Sequence, residues 1–368
     1  MMGLLLIEPL NFFPHYKKYF VIMNQSLPNP FISVIIRSYN RLSYVIELIN
    51  RCLEQDYDNF EIVVIEQSDL NHWKKHKTKL CSMDPKVRLI RAKPQGSAGA
   101  RNLGVFIANG DVVLLMDDDD LPVNNKWISS HAKNYIDPSC IGVSGRYIHK
   151  INETNRYKNK DFAYERCLSY SFFLRGRDFT GIDKIKKPVQ WLHGANSSIR
   201  RIYVIELGGW YPYINNFDEH SFCFKLQKAM KKEEYLMFDP EPIVLRRFNI
   251  PGGLGKRYLP LTQLLKNQLL FYHRVVAKYY PYRFYLLYPI FNLYSFRYII
   301  RWFRTFSYFN NNLWFKWFNK KNALRLYFIQ EFIKYPFLVI QSLFLKRPKW
   351  NAPLHISDDI YSEYKQEV

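Results

Sequence analysis

Four consecutive carboxylates, Asp117-Asp118-Asp119-Asp120, are the sharpest chemical feature of this 368-residue chain. Adjacent like charges repel, so a folded protein needs a reason to hold them together. A hard divalent cation supplies one: Mg²⁺ or Mn²⁺ is bound through one or two carboxylates and completed by substrate phosphates. A solvated acidic turn is the bland alternative. The run directly follows an apolar strand in a basic protein, which favours the metal. In extended backbone alternate side chains take opposite faces, so Asp117 and Asp119 should share one side and Asp118 and Asp120 the other.

The elements that must position these acids read as alternating strands and helices. Phe31 to Ile36 is a short β-branched run, and Leu42 to Leu53 has helical spacing. Glu61 to Ile65 and Val87 to Ile90 are further strands, Ala98 to Ala108 a helix, and Asp111 to Met116 a strand that stops at the aspartates. Strands this uniformly apolar belong to a parallel sheet covered on both faces. Ligands bind beyond the carboxyl ends of such strands. Ser38-Tyr39-Asn40, Glu66-Gln67-Ser68 and the four aspartates all follow strand ends, so they should converge on one rim. From Cys140 to Phe248 the pattern is mixed and predicts antiparallel strands and loops. Pro251-Gly-Gly-Leu-Gly255 reads as a flexible break.

Composition excludes general disorder, since 48% of residues are hydrophobic. The net charge of +21 favours an anionic partner. Two-thirds of it lies in Leu261–Trp350, which holds 15 Lys or Arg, one acid (Glu331) and 28 aromatic residues. Five cysteines without CxxC spacing argue against a disulfide framework or zinc site and suit a reducing compartment as buried thiols. The first 23 residues lack a basic n-region and are broken by Pro9 and Pro14, a poor signal peptide. No uncharged run reaches the ~18 residues of a transmembrane helix.

Four segments together resemble the inverting family-two glycosyltransferases of GT-A fold: Ser33–Arg41, Glu61–Ser68, Gly96–Gly104 and Gly110–Pro122. The resemblance covers about residues 31–255. It implies that Ser38 and Tyr39 line the nucleotide and that Glu66 accepts a hydrogen bond from the base. Arg101 would sit beside the nucleotide or diphosphate. Asp117 would help hold the nucleotide and ribose, with Asp118 in the same donor set, and Asp119 would bind the metal.

Trp191–Arg201 resembles the family's Gly-x-Asn segment on the acceptor side. Asn196 would then orient sugar or acceptor, and His193 either touches the pyrophosphate or is a structural histidine. Trp210, after Leu207-Gly-Gly, either stacks on a sugar or packs in the core. Phe217–Lys225 resembles the segment carrying the catalytic base. It implies Glu219 in that role, with Asp218 as runner-up, against an acidic helix start stabilised by the dipole. Arg246 and Arg247 stand where the family often places a metal-ligand histidine. Pro251–Arg257 is either a mobile loop over the donor or a linker.

Lys and Arg interleaved with Phe, Trp and Tyr beyond residue 256 fit a membrane surface or single-stranded nucleic acid. The helical pattern and the upstream motifs favour the membrane over nucleic acid. The expected organisation is thus a leader (1–30), disordered or ahead of the true start; a GT-A catalytic domain, α/β with a Rossmann-like, mostly parallel sheet (31–255); and a basic, aromatic-rich α-helical region (256–368). The expected activity is metal-dependent, inverting, hexosyltransferase-like transfer of one sugar from a nucleotide-diphospho-sugar to a glycan or lipid-linked glycan hydroxyl, in cell-surface polysaccharide biosynthesis. The expected place is the cytoplasmic face of the cell membrane, as a peripheral protein. A sugar-phosphate nucleotidyltransferase and a non-enzymatic membrane-surface scaffold with a decayed site are the alternatives. The first would normally carry a Gly-rich, Arg-containing loop after the first strand, where this chain has Arg37–Arg41.

Overall fold

The computed structural model describes residues 25–80, 82–94, 96–148, 167–211 apart from 172, 173, 175, 179 and 182, 217–247, 267 and 269–285. The leader to residue 24, the Pro251–Arg257 loop and the chain beyond 285 lie outside the described residues, and with them most of the basic, aromatic segment.

The first half alternates as expected: β1 (Ile32–Ser38), α1 (Leu42–Leu53), β2 (Phe60–Glu66), α2 (Leu70–Leu80), β3 (Val87–Arg91), α3 (Gly96–Ile107), β4 (Val112–Asp117) and the short β5 (Asp120–Pro122). Next come α4 (Trp127–Ala132), β6 (Cys140–Ile148), a ribbon of β7 (Ser169–Tyr170) with β8 (Gly176–Arg177), then β9 (Lys187–Val189) and β10 (Ser197–Arg200). Helices α5 (Arg201–Leu207) and α6 (Asp218–Ala229) precede the long β11 (Tyr235–Arg246). The main sheet runs β3-β2-β1-β4-β10-β6-β11-β5, with β9 on β11.

Strands β3, β2, β1 and β4 pair in parallel, and β10 enters antiparallel between β4 and β6. The Cys140–Phe248 stretch is mixed, as expected: β10 is antiparallel to both neighbours, and β11 is antiparallel to β5 and β9 but parallel to β6. Sequence alternation sets which face a strand buries, not the direction of its partner.

Each sheet face carries its own apolar layer. Ile35, Val63, Ile65, Val113 and Leu115 pack under α3 and α6; Val34, Ile36, Ile62, Val64 and Leu114 pack under α1 and α4. These are the odd and even positions of the same strands, as a doubly covered sheet requires. A third cluster joins Leu174 and Phe224 to Leu269, Phe271, Tyr272, Val275 and Val276. The last four lie on or beside a π-helical turn, Phe271–Val276, so this piece of the basic region packs against the catalytic-type domain. Cys52, Cys140, Cys167 and Cys223 are buried free thiols. Among the described residues no helix is long and apolar enough to cross a membrane.

Candidate functional site

The carboxyl ends of β1, β2 and β4 do meet on one rim. The Asn40 amide donates to Ser68 Oγ at 2.7 Å, tying the β1 turn to the β2 turn. Arg41 Nη1 donates to Asp118 at 2.6 Å and Asp119 at 2.9 Å, tying β1 to the acidic turn. Asp117 and Asp119 face a cavity, whereas Asp118 and Asp120 are buried, but the run is not extended as expected: Asp118 and Asp119 form a turn between β4 and β5.

What holds the four acids together corrects the sequence argument. Each has a guanidinium of its own chain. Arg37 pairs with Asp117, Arg41 bridges Asp118 and Asp119, and Arg246 Nη2 lies 3.2 Å from Asp120. Arg247 Nε donates to the Asp119 carbonyl at 3.1 Å. A divalent cation is therefore not required to explain the cluster. Burial pushes the Asp118 carboxyl up to about 6 against the opposing pull of Arg41. Burial, with Arg101 beside it, lowers Arg37 to about 10.

The donor set still suits a metal. Asp117, Asp119 and Asp120 each offer a carboxylate oxygen, all within 4.8 Å of one another. An all-oxygen, anionic set of that size fits Mg²⁺ or Mn²⁺ rather than a soft ion. Asp120 was not among the expected ligands. It joins them because β4 ends at Asp117 and β5 begins at Asp120, so a tight turn folds the fourth acid back on the first.

The cavity, about 290 Å³, is lined by Asp117, Asp119, His193, Gly194, Ala195, Glu219, Arg246 and Arg247. Two acids at the start of α6 meet it differently. Asp218 is buried and accepts from Arg101 Nη1 at 3.0 Å. Glu219 reaches the cavity wall, 3.7 Å from Arg101 Nη2, with its side chain 30% exposed. Burial and then the Asp218 charge raise the Glu219 pKa above the ordinary carboxylate range. Gly194 makes room for it: a Cβ there would run into Glu219 Oε1 and stand 2.6 Å from Arg101 Nη2. Arg101 itself is 1% exposed and stacks 4.9 Å over the Trp210 ring.

The remaining expected residues fall into place unevenly. Ser38 is buried at the end of β1, and its hydroxyl has no hydrogen-bond partner among the described residues. Tyr39 follows it, half-buried. Glu66 is fully buried and accepts from the amide of Ser68 at 2.9 Å and from its hydroxyl. His193 lines the cavity, its ring edge-on to Tyr147 and Trp191, with Nε2 3.4 Å from both Asp178 and Thr180 Oγ1.

Asn196 has internal jobs instead of the sugar contact expected of it, and Trp210 takes the second of its two expected places. The Asn196 amide accepts from Trp127 Nε1 at 2.8 Å, meets His131 Nε2 at 3.3 Å, and donates to the carbonyls of Arg146 and Pro242. All four of its hydrogen-bonding positions are thereby used in the core. Trp210 is buried against Phe222 and under Arg101, so it packs rather than stacks on a sugar. The sequence reading also missed Arg37, Arg41 and Asp178. Arg37 and Arg41 flank Ser38-Tyr39-Asn40, and two basic residues bracketing a strand-end turn opposite four acids were a usable signal.

Comparisons with known proteins agree with this architecture. The family described as Glycosyl transferase family 2 matches residues 33–208. An uncharacterized glycosyltransferase of Rickettsia conorii is 35% identical over 133 residues, 36% of this chain and 22% of its own length. The chain thus spans about a fifth of that relative. The glucosyl-dolichyl phosphate glucuronosyltransferase of Haloferax volcanii is 22% identical over 246 residues, covering 66% of this chain and 70% of that protein. Among solved structures, the mannosyltransferase PcManGT of Pyrobaculum calidifontis, in complex with GDP-Man and Mn²⁺, superposes with a TM-score of 0.51 at 15% identity, covering 89% of this chain and 94% of its own. That last likeness is one of fold. Matched motifs, sheet order and the family match agree: residues 33–208 match glycosyl transferase family 2, and the described sheet is of GT-A fold.

Proposed function

We propose that this glycosyltransferase moves one sugar, with inversion, from a nucleotide-diphospho-sugar to a hydroxyl of a glycan or lipid-linked glycan. The observation that carries the reading is a single cavity in which Glu219 faces Asp117 and Asp119. A bound divalent cation would neutralise the leaving diphosphate, held by Asp119 with Asp117 and Asp120 beside it. Arg246 and Arg247 line the same cavity and add fixed positive charge near the phosphates. Ser38, whose buried hydroxyl has no hydrogen-bond partner among the described residues, lies at the same strand-end rim.

Glu219 is the base. Burial and the neighbouring Asp218 charge raise its pKa, which favours proton uptake. As the acceptor oxygen bonds to the anomeric carbon, its proton passes to Glu219, and the carbon–oxygen bond to the diphosphate breaks with its electron pair on the phosphate oxygen. Asp218, neutralised by Arg101, is not placed for that step. Of the two acceptors the lipid-linked glycan is favoured, with the enzyme working peripherally at the cytoplasmic face of a membrane. The basic, aromatic composition of Leu261–Trp350 supports this, as does the relative whose name gives it a dolichyl phosphate substrate.

The test is nucleoside diphosphate release from UDP- and GDP-sugars with Mn²⁺, using the whole chain. Glu219→Gln should keep nucleotide binding and lose about 10²–10⁴-fold in turnover. Asp119→Ala should lose Mn²⁺-dependent nucleotide binding. Wild-type turnover in the first or unchanged binding in the second rejects the corresponding role. The anomeric configuration of the product, read by NMR, decides inversion.

A further inference from the structure

The helix that presents Glu219 starts badly by itself. Its N-cap residue is Phe217, which has no side-chain acceptor for the exposed amides of the first turn. Asp218 and Glu219 follow at once, so the direction of the first turn sets where the Glu219 carboxylate lies. The start is held in two other ways. Arg101, from α3, grips Asp218. From the opposite chain segment, the ring of Phe271 lies on that of Phe217, centroids 4.9 Å apart and planes 17° from parallel.

Phe271 opens the π-helical turn Phe271–Val276, and such turns recur at functional sites. Its ring is buried and also meets Phe224 at 5.7 Å and His220 at 6.4 Å. His220 in turn packs on Trp191, which packs on the cavity residue His193. A chain of ring contacts thus runs from Phe271 through His220 and Trp191 to the cavity residue His193.

We infer that Phe271 is a positioning residue for Glu219: the segment beyond the catalytic domain clamps the start of α6 through the Phe217 stack. The inference rests on the reading of Glu219 as the base. A displacement of the order of 1 Å at a reacting group can cost about 10²-fold in rate. A stacked aromatic pair also contributes beyond its buried area.

The test compares Phe271→Ala with Val275→Ala, a buried neighbour in the same turn and the same apolar cluster. Both variants should lower the melting temperature. Only Phe271→Ala should reduce kcat, by about 10- to 100-fold, with the donor KM little changed, and Phe271→Tyr should restore it. In a Glu219→Gln background Phe271→Ala should add little, because residues acting as a unit are non-additive.

Hydrogen exchange at the amides of Ser221–Phe224 provides a readout independent of turnover. It should quicken about tenfold in Phe271→Ala and stay unchanged in Val275→Ala. Equal kcat losses in the two variants, or unchanged exchange in Phe271→Ala, overturn the inference. If Glu219→Gln retains turnover, the base assignment fails instead, and the exchange result still decides the clamp.

Discussion

Asp218 and Glu219 are neighbours in sequence with opposite surroundings. Asp218 is closed against Arg101, while Glu219 stands at the cavity with a raised pKa. Chain position alone did not separate them; a glycine did. Gly194 leaves the space that the Glu219 carboxylate and the Arg101 guanidinium occupy. Gly194→Ala should therefore cut turnover by about 10²-fold through displacement of Glu219, checked by donor turnover alongside a melting curve. Wild-type turnover would show that the carboxylate need not sit there. The identities of the acids were legible, but their facing was not, because a turn at Asp118-Asp119 replaces extended backbone and brings Asp120 beside Asp117. The arginine answering each acid was not legible either, because Arg37 and Arg41 lie about twenty turns of helix away in chain length and meet them only across the sheet.

At the scale of elements, the β1, α1, β2, β3, α3 and β4 positions followed from apolar runs and helical spacing, with ends shifted by one or two residues. Buried parallel strands announce themselves because both faces are apolar. The connections are less visible and depend on close packing. Gly110, in the link from α3 to β4, has no room for a Cβ: one would stand 2.7 Å from Phe31 O and Ser33 N, both backbone atoms of the β1 entry. Backbone yields little, so Gly110→Ala should destabilise the fold by about 1–3 kcal/mol. A shifted urea midpoint would register it, and an unchanged one would mean the β1 entry relaxes freely. Strand β11 was harder to read, because its parallel pairing with β6 depends on register irregularities at Tyr235/Leu236 and Phe238/Ile243.

For the molecule as a whole, buried histidines link stability to pH. Burial lowers His131 from 6.5 to about 4, where it lies between Ser198 Oγ at 2.9 Å and Asn196 Oδ1 at 3.3 Å, with the Asp239 charge opposing. The folded state prefers the neutral ring. As pH falls from 6.5 towards 4 the unfolded chain binds a proton that the folded chain refuses, so this contribution to stability is lost with falling pH. At pH 5 the loss is about 2 kcal/mol. The stability change between pH 7 and pH 5, from urea titrations, should shift in the favourable direction by about that amount in His131→Gln. An identical pH dependence in the variant would place the His131 pKa near its ordinary value.

The sequence by itself determined the α/β class, the rim of polar turns and the acidic cluster. Each of these depends on local pattern: apolar period, turn residues, and acids in direct succession. Tertiary structure decided the rest. It assigned Asn196 and Trp210 to the core, brought Asp120 beside Asp117 and Asp119, and gave each aspartate a guanidinium. It also laid Phe271 on the residue before the acid pair. Apart from the local turn at Asp120, those outcomes depend on contacts between residues far apart in the chain. Side-chain type says what such a contact can be, and only the packed fold says which groups are close enough to make it.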